Sequence, residues 1–239
     1  MEKLEIRNTG VAALVITIGG RRILVDAFNT INQPEPIVPG DLILFTHDDG
    51  DHFSPEKLPN LIGQDVTVIG PPTILKPILE LGKAGLEQLK VLYSKDPQNP
   101  DGIIVGDICI KAIHTQHFNG WDALNNSYLI KAGSRRIYIT GDSLVTKELF
   151  ASIGKPEILI CNLVEEGFLK GTEDKRHAIH HLLSYLLKVS SECNSDRIIG
   201  VHLLNFEGTV PADEMKQLVK AYDFSRIIIP ISPTQMIQL

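Results

Sequence analysis

Cysteine is scarce in this chain of 239 residues: Cys109, Cys161 and Cys193 are odd in number and lack the spacing of a metal-binding pair. That argues against a disulfide-stapled scaffold. Cys109 and Cys161 fall inside apolar runs, so buried free thiols in a reducing cytosol, and a cytoplasmic protein, are the expectation. A charged-then-apolar leader is missing too, since Met1 to Glu5 already alternates like a strand. No apolar run approaches the roughly 18 residues that would cross a bilayer, so no membrane partner is expected. Basic residues are outnumbered, 23 Lys and Arg against 29 Asp and Glu, and the net charge of −6 makes nucleic acid an unexpected main partner. No polar linker divides the chain, so residues 1–239 are read as one domain, long enough to bury a large core.

What is abundant is ligand chemistry in one short stretch. Asp41 to Phe45 is an apolar run bounded by Pro39-Gly40, and it leads through Thr46 into His47-Asp48-Asp49-Gly50-Asp51-His52. Two imidazoles and three carboxylates in six residues can all ligate a divalent cation. Carboxylates so crowded repel one another, and a bound dication removes that penalty. A strand ending in such a cluster places the ligands at the rim of a sheet.

The rest of the chain alternates strand and helix signals. Val11 to Ile18, the Gly19-Gly20 turn and Arg21 to Val25 predict a hairpin ending on Asp26. Ser54-Pro55 predicts a helix start, Val66 to Gly70 a strand, and Pro71-Pro72-Thr73 a helix through Leu81, stopped by Gly82. Residues 95–102 are turn chemistry. Asp107 to Thr115 alternates as a strand and carries His114 and His117 towards its end. A second hairpin, Ser127 to Thr140 around Gly133-Ser134, ends on Gly141-Asp142. Helices are expected over 143–152, 175–190 and 212–222, and strands over 157–162, 197–201 and 226–231, with His202 just past one of them.

The two hairpins resemble each other. Gly19-Gly-Arg-Arg-Ile-Leu-Val-Asp26 aligns with Gly133-Ser-Arg-Arg-Ile-Tyr-Ile-Thr-Gly-Asp142, and the following strands, Leu42 to Phe45 and Ile158 to Cys161, correspond as well. Two related halves that face each other are therefore expected, in an α/β class with sheets between helical layers. His47, Asp49, Asp51, His52, His117, Asp142 and His202 all follow predicted strands, and seven ligands suit two ions better than one.

In order and spacing this pattern resembles the metallo-β-lactamase superfamily. Members carry an aspartate after an early strand, a His-x-His-x-Asp-His loop, a lone histidine, an aspartate after a strand and a final histidine. Here those places read Asp26, His47 to His52, His117, Asp142 and His202. The resemblance implies a four-layered αβ/βα sandwich of two similar halves, and a metal-dependent hydrolase of the small, lactonase-like branch. Its substrate would be a small ester, lactone or phosphoester, attacked by hydroxide held by two cations.

It further assigns His47, Asp49 and His117 to a first ion and Asp51, His52 and His202 to a second, with Asp142 bridging. Asp26 becomes an orienting residue, and Asp51 the proton acceptor if one ion is present. The stretch His114-Thr-Gln-His117-Phe matches the lactonase-like form with His117 as ligand, leaving His114 as a core or supporting histidine. His177 could touch substrate near the site mouth, or sit with His180 on a solvated helix face. Glu165 and Glu166 are rim candidates of the same kind.

One departure stands out. Asp49 replaces the usual second histidine of the loop, which shifts preference towards harder ions. Zn or Mn is expected ahead of Fe. Alternative readings are a di-iron redox protein of the flavodiiron-like type lacking its flavin domain, and a nucleic-acid-processing metallohydrolase.

Overall fold

The computed structural model describes residues 3–28, 35–94, 96, 99–117, 125–143, 147–162, 183–189, 191–192, 195–202, 212–225, 227–232 and 234–239. Six strands come first: β1 Leu4–Asn8, β2 Leu14–Ile18, β3 Arg21–Val25, β4 Asp41–Leu44, β5 Val66–Gly70 and β6 Leu89–Val91. Helix α1, Pro72–Glu80, lies between β5 and β6. Then follow β7 Asp101–Val105, β8 Ile108–Thr115, β9 Asn125–Ala132 and β10 Arg135–Ile139. Helix α2 (Lys147–Ile153), β11 (Ile158–Asn162), helical residues 183–189 (α3), β12 (Arg197–Val201), α4 (Ala212–Ala221), β13 (Ile228–Pro230) and β14 (Met236–Gln238) complete the order.

One sheet runs β14-β1-β2-β3-β4-β5-β6 and the other β13-β12-β11-β10-β9-β8-β7. In each, an antiparallel hairpin feeds a parallel series: β2 and β3 lead to β4, β5 and β6, while β9 and β10 lead to β11, β12 and β13. The two halves expected from the repeated hairpin are thus present as two sheets of the same plan.

Side-chain alternation sets the layers, because successive strand residues point to opposite faces. Ile16, Ile23, Val25, Leu42 and Leu44 of the first sheet meet Ile110, Ile130, Ile137, Ile139, Ile160 and Ile199 of the second in one buried cluster. The opposite face of the first sheet, with Val15, Leu24, Ile43 and Val68, is covered by Ile74, Leu75 and Ile78 of α1. The outer face of the second, with Leu129, Tyr138, Leu159 and Ile198, is covered by Leu149, Phe150 and Ile153 of α2, by Leu183, Leu186 and Val189, and by Met215 and Val219 of α4. The fold is a four-layered αβ/βα sandwich. Each such buried aliphatic side chain contributes about 1.5–3 kcal/mol to folding.

Some local readings need correction. Ser54 to Leu58 forms only turns, with Lys57 N donating to Ser54 O. Pro59 disfavours helical backbone at the residue before it, which leaves no room for a second turn. Residues 95–102 are not turn throughout, because β7 begins at Asp101, and Cys109 is half-buried while Cys161 is buried. Strands β6 and β14 carry no alternation long enough to announce them. Among the described residues no helix is long and apolar enough to cross a membrane.

Candidate metal centre

The candidate ligands gather where strands end at one rim. Asp26 follows β3, the His47–His52 loop follows β4, His117 follows β8, Asp142 follows β10 and His202 follows β12. The two sheet rims are stitched together beside the loop. Tyr128 Oη donates to Phe45 O at 2.6 Å, Asn126 N to Thr46 O at 2.9 Å, and His202 N to Val11 O at 3.1 Å.

Thr46 organises the first turn of the site. Its backbone N donates to Asp26 Oδ1 at 2.9 Å, and its hydroxyl donates to Asp26 Oδ2 at 2.7 Å. With the hydroxyl proton committed to the carboxylate, Oγ1 accepts from His47 Nδ1 at 2.9 Å. His52 Nδ1 donates to Asp26 Oδ2 at 2.8 Å. Both tautomers, inferred from this network, place the proton on Nδ1 and turn the Nε2 lone pair inward. His47 Nε2 and His52 Nε2 are buried and make no hydrogen bond of acceptable geometry, although each faces a carboxylate: Asp49 Oδ2 at 3.5 Å and Asp142 Oδ1 at 3.2 Å.

Three overlapping groups have ligand atoms within 4.8 Å of one another: His47, Asp49 and His117; Asp51, His52 and His202; and His47, His52 and Asp142. His117 Nε2 lies 3.3 Å from Asp49 Oδ2 and 3.7 Å from Asp142 Oδ2, and His202 Nε2 lies 3.1 Å from Asp51 Oδ2. Asp142 thus turns Oδ2 towards the first group and Oδ1 towards His52 of the second. All seven expected ligands converge. Asp48 is exposed and belongs to no group.

Charge in the cage is tightly compensated. Burial would lower the pKa of His52, but the Asp142 and Asp26 carboxylates, one at each ring nitrogen, outweigh it and hold His52 well above the ordinary histidine range. Burial would raise Asp142, but His52, His202 and His47 pull it far below the usual carboxylate range. Asp51 is lowered as well, because His202 and His52 outweigh its burial and the nearby Asp142. A proton between His52 Nε2 and Asp142 would satisfy these charges, yet the contact lacks hydrogen-bond geometry. Imidazole and carboxylate donors gathered in this way are the kind of set that would hold a dication.

Backbone strain marks the same place. Asp26 and His202 adopt φ of 49° and 67°, left-handed values that cost non-glycine residues of order 1–3 kcal/mol each. His114 lies on β8 with its ring 5.2 Å from that of Tyr93, and it joins none of the three groups. His177, His180, Glu165 and Glu166 lie outside the described residues.

Sequence reasoning missed the supporting residues. Thr46 is legible in hindsight as the polar break ending an apolar run, and Asn125-Asn126 as two poor strand formers opening a strand. Asn125 Nδ2 donates to the hydroxyls of Thr115 and Ser143, and Asn162 Nδ2 donates to Asp142 Oδ1.

Fold and family comparison agree. Residues 5–187 match the model of the β-lactamase superfamily domain. The chain belongs to the metallo-β-lactamase superfamily. It is 28% identical, over 75% of its length and 80% of the relative's, to a protein of Pyrococcus abyssi named as a metal-dependent hydrolase. Among solved structures it resembles Igni18, a metallo hydrolase of Ignicoccus hospitalis, with a TM-score of 0.70 at 13% identity over 99% of this chain and 98% of that one. It also resembles CmlA, a diiron β-hydroxylase of Streptomyces venezuelae, with a TM-score of 0.67 at 15% identity over 100% of this chain and 54% of CmlA.

Proposed function

We propose that this chain, a metal-dependent hydrolase of the metallo-β-lactamase superfamily, holds two divalent cations, Zn or Mn ahead of Fe, and hydrolyses a small ester, lactone or phosphoester-type substrate. The observation that carries the reading is the convergence of four imidazoles and three carboxylates, with the Nε2 atoms of His47 and His52 turned inward by Thr46 and Asp26. His47, Asp49 and His117 would hold one ion, and Asp51, His52 and His202 the other. Asp142 would reach both, one oxygen to each. Such a pair would supply Lewis acidity towards a carbonyl or phosphoryl oxygen and would lower the pKa of a bound water.

The chain's own groups orient and move protons. Asp51 is held ionised by His202 and His52, and were a single ion bound it would be the group to accept a proton from water. Asp26 and Thr46 hold two ligand rings in their tautomers and exclude competing hydrogen bonds. A di-iron oxidative reading shares the same donors, and Asp49 favours it by adding a hard ligand.

Elemental analysis of protein purified without added metal, wild type beside Asp142→Ala, tests the proposal. The wild type should carry about two ions per chain and hydrolyse a generic ester or phosphodiester. The variant should lose occupancy at both positions together with hydrolysis. Two irons without hydrolysis would favour the oxidative chemistry, and a variant that keeps both ions would remove the bridge.

A further inference from the structure

The donor that fixes the Asp142 carboxylate comes from outside the ligand set. Its two oxygens face different groups: Oδ1 lies 3.2 Å from His52 Nε2 and Oδ2 lies 3.7 Å from His117 Nε2. A carboxylate on its Cβ is free to rotate unless something grips one oxygen. Asn162, the last residue of β11, donates from Nδ2 to Oδ1 and does so from the neighbouring strand.

The first half holds its aspartate in the same way. Strand β3 pairs with β4 in the register Val25 to Leu44, and β10 pairs with β11 in the register Ile139 to Ile160. Thr46 and Asn162 each stand two residues past that pair, and each donates to an aspartate 20 residues earlier, Asp26 and Asp142. A donor at the same strand position grips an aspartate in each half, a hydroxyl in one and an amide in the other, although Asp142 stands two residues further past its strand than Asp26 does.

We propose that Asn162 is a positioning residue: its amide fixes the Asp142 carboxylate so that one oxygen faces each cation position. The inference rests on the two-ion reading above. Without the donor, Asp142 turns both oxygens towards a single side and the two ions lose their shared ligand. Asn162 belongs to none of the three candidate ligand groups, so its loss would act through Asp142.

The test loads the full chain with Mn²⁺ and reads ions per chain, Mn²⁺ affinity and the exchange-coupled two-ion spectrum by electron paramagnetic resonance. Circular dichroism reports the fold. Wild type should show two coupled ions. Asn162→Leu, with similar volume and no donor, should fold normally, bind the second Mn²⁺ about tenfold more weakly and lose most of the coupling. Asn162→Thr, which installs the residue found at Thr46, should restore the coupling.

Asn162→Leu matching wild type in affinity and coupling overturns the inference, as does a folded Asn162→Thr as impaired as Asn162→Leu. A wild type that holds one ion and shows no coupled spectrum overturns the two-ion reading itself, and the inference falls with it. An Asn162→Leu chain that does not fold assigns the amide a structural role, which also overturns the inference.

Discussion

Asp26 and Asp142 close on opposite nitrogens of one imidazole. Asp26 Oδ2 meets His52 Nδ1 at 2.8 Å, and Asp142 Oδ1 meets His52 Nε2 at 3.2 Å. The aspartates come from corresponding places in the two halves, yet they are not at the same register. Asp26 directly follows β3, whereas Thr140 and Gly141 separate Asp142 from β10. Gly141 takes φ of 56°, and a Cβ there would lie 3.0 Å from Asn125 Oδ1 and 3.2 Å from Thr46 Cβ. Those two extra residues carry the second aspartate across to the far side of the ring. One half therefore supplies an orienting carboxylate and the other a candidate ligand.

Replacing Asp26 by Asn separates these roles. The amide keeps the shape but offers no charge to the His52 Nδ1 proton. Metal affinity should fall about 10–100-fold, the usual cost of losing a carboxylate behind a ligating histidine. The far-ultraviolet circular dichroism spectrum should stay as in wild type. Unchanged affinity, measured by calorimetric titration with Zn²⁺, would show that Asp26 serves only the backbone of Thr46.

His117 and His114 are three residues apart and differ in surroundings. His117 is 1% exposed and points Nε2 at Asp49 and Asp142, whereas His114 packs its ring on Tyr93. His117→Ala should release about one ion per chain and abolish hydrolysis of a generic ester. His114→Ala should keep the ions and cost stability through the lost ring contact, about 1 kcal/mol. The reverse pattern in metal content would move the ligand to His114.

The residues that converge were legible because metal chemistry restricts residue type: few arrangements of histidine and aspartate recur after successive strands by accident. The layers were legible because Ile and Val alternate along β2, β3, β8 and β10. The residues behind the ligands were not. Thr46, Asn125, Ser143 and Asn162 act through hydrogen bonds to partners 10 to 28 residues away, and such pairs leave no period in a sequence. The edge strands β6 and β14, three residues each, owe their strand geometry to the neighbour they pair with.

Two buried phenols set the alkaline limit of the fold. Burial pushes Tyr128 and Tyr138 far above the ordinary tyrosine range. Above pH of about 10 the unfolded chain releases these protons while the native chain keeps them. The native state then binds more protons, so stability is full below that pH and falls above it. Each tyrosine contributes a slope of about 1.4 kcal/mol per pH unit. Tyr138→Phe should flatten the decline by one tyrosine's share, whereas Tyr128→Phe would also orphan Phe45 O. Thermal midpoints of wild type and Tyr138→Phe between pH 9 and 11.5 check the slope, and parallel curves would contradict it.

Asp49 gives the two candidate positions the same donors. His47, Asp49 and His117 are two imidazoles and one carboxylate, and so are Asp51, His52 and His202. Imidazole suits Zn, while carboxylate suits Mn and other harder ions. Asp49→His would convert the first group to three imidazoles and leave the second as it is. Zn should then gain on Mn at one position only. The Asp49 side chain is 38% exposed, so solvent screens part of its charge and the gain should be modest. A shift of about tenfold in the Zn-to-Mn ratio, about 1.4 kcal/mol, is expected. Competition dialysis against equal Zn²⁺ and Mn²⁺, followed by elemental analysis, reads that ratio directly. An unchanged ratio would mean that Asp49 does not ligate. The first position would then belong to other residues, and a single ion centred on Asp51, His52 and His202 would become the better account of the site.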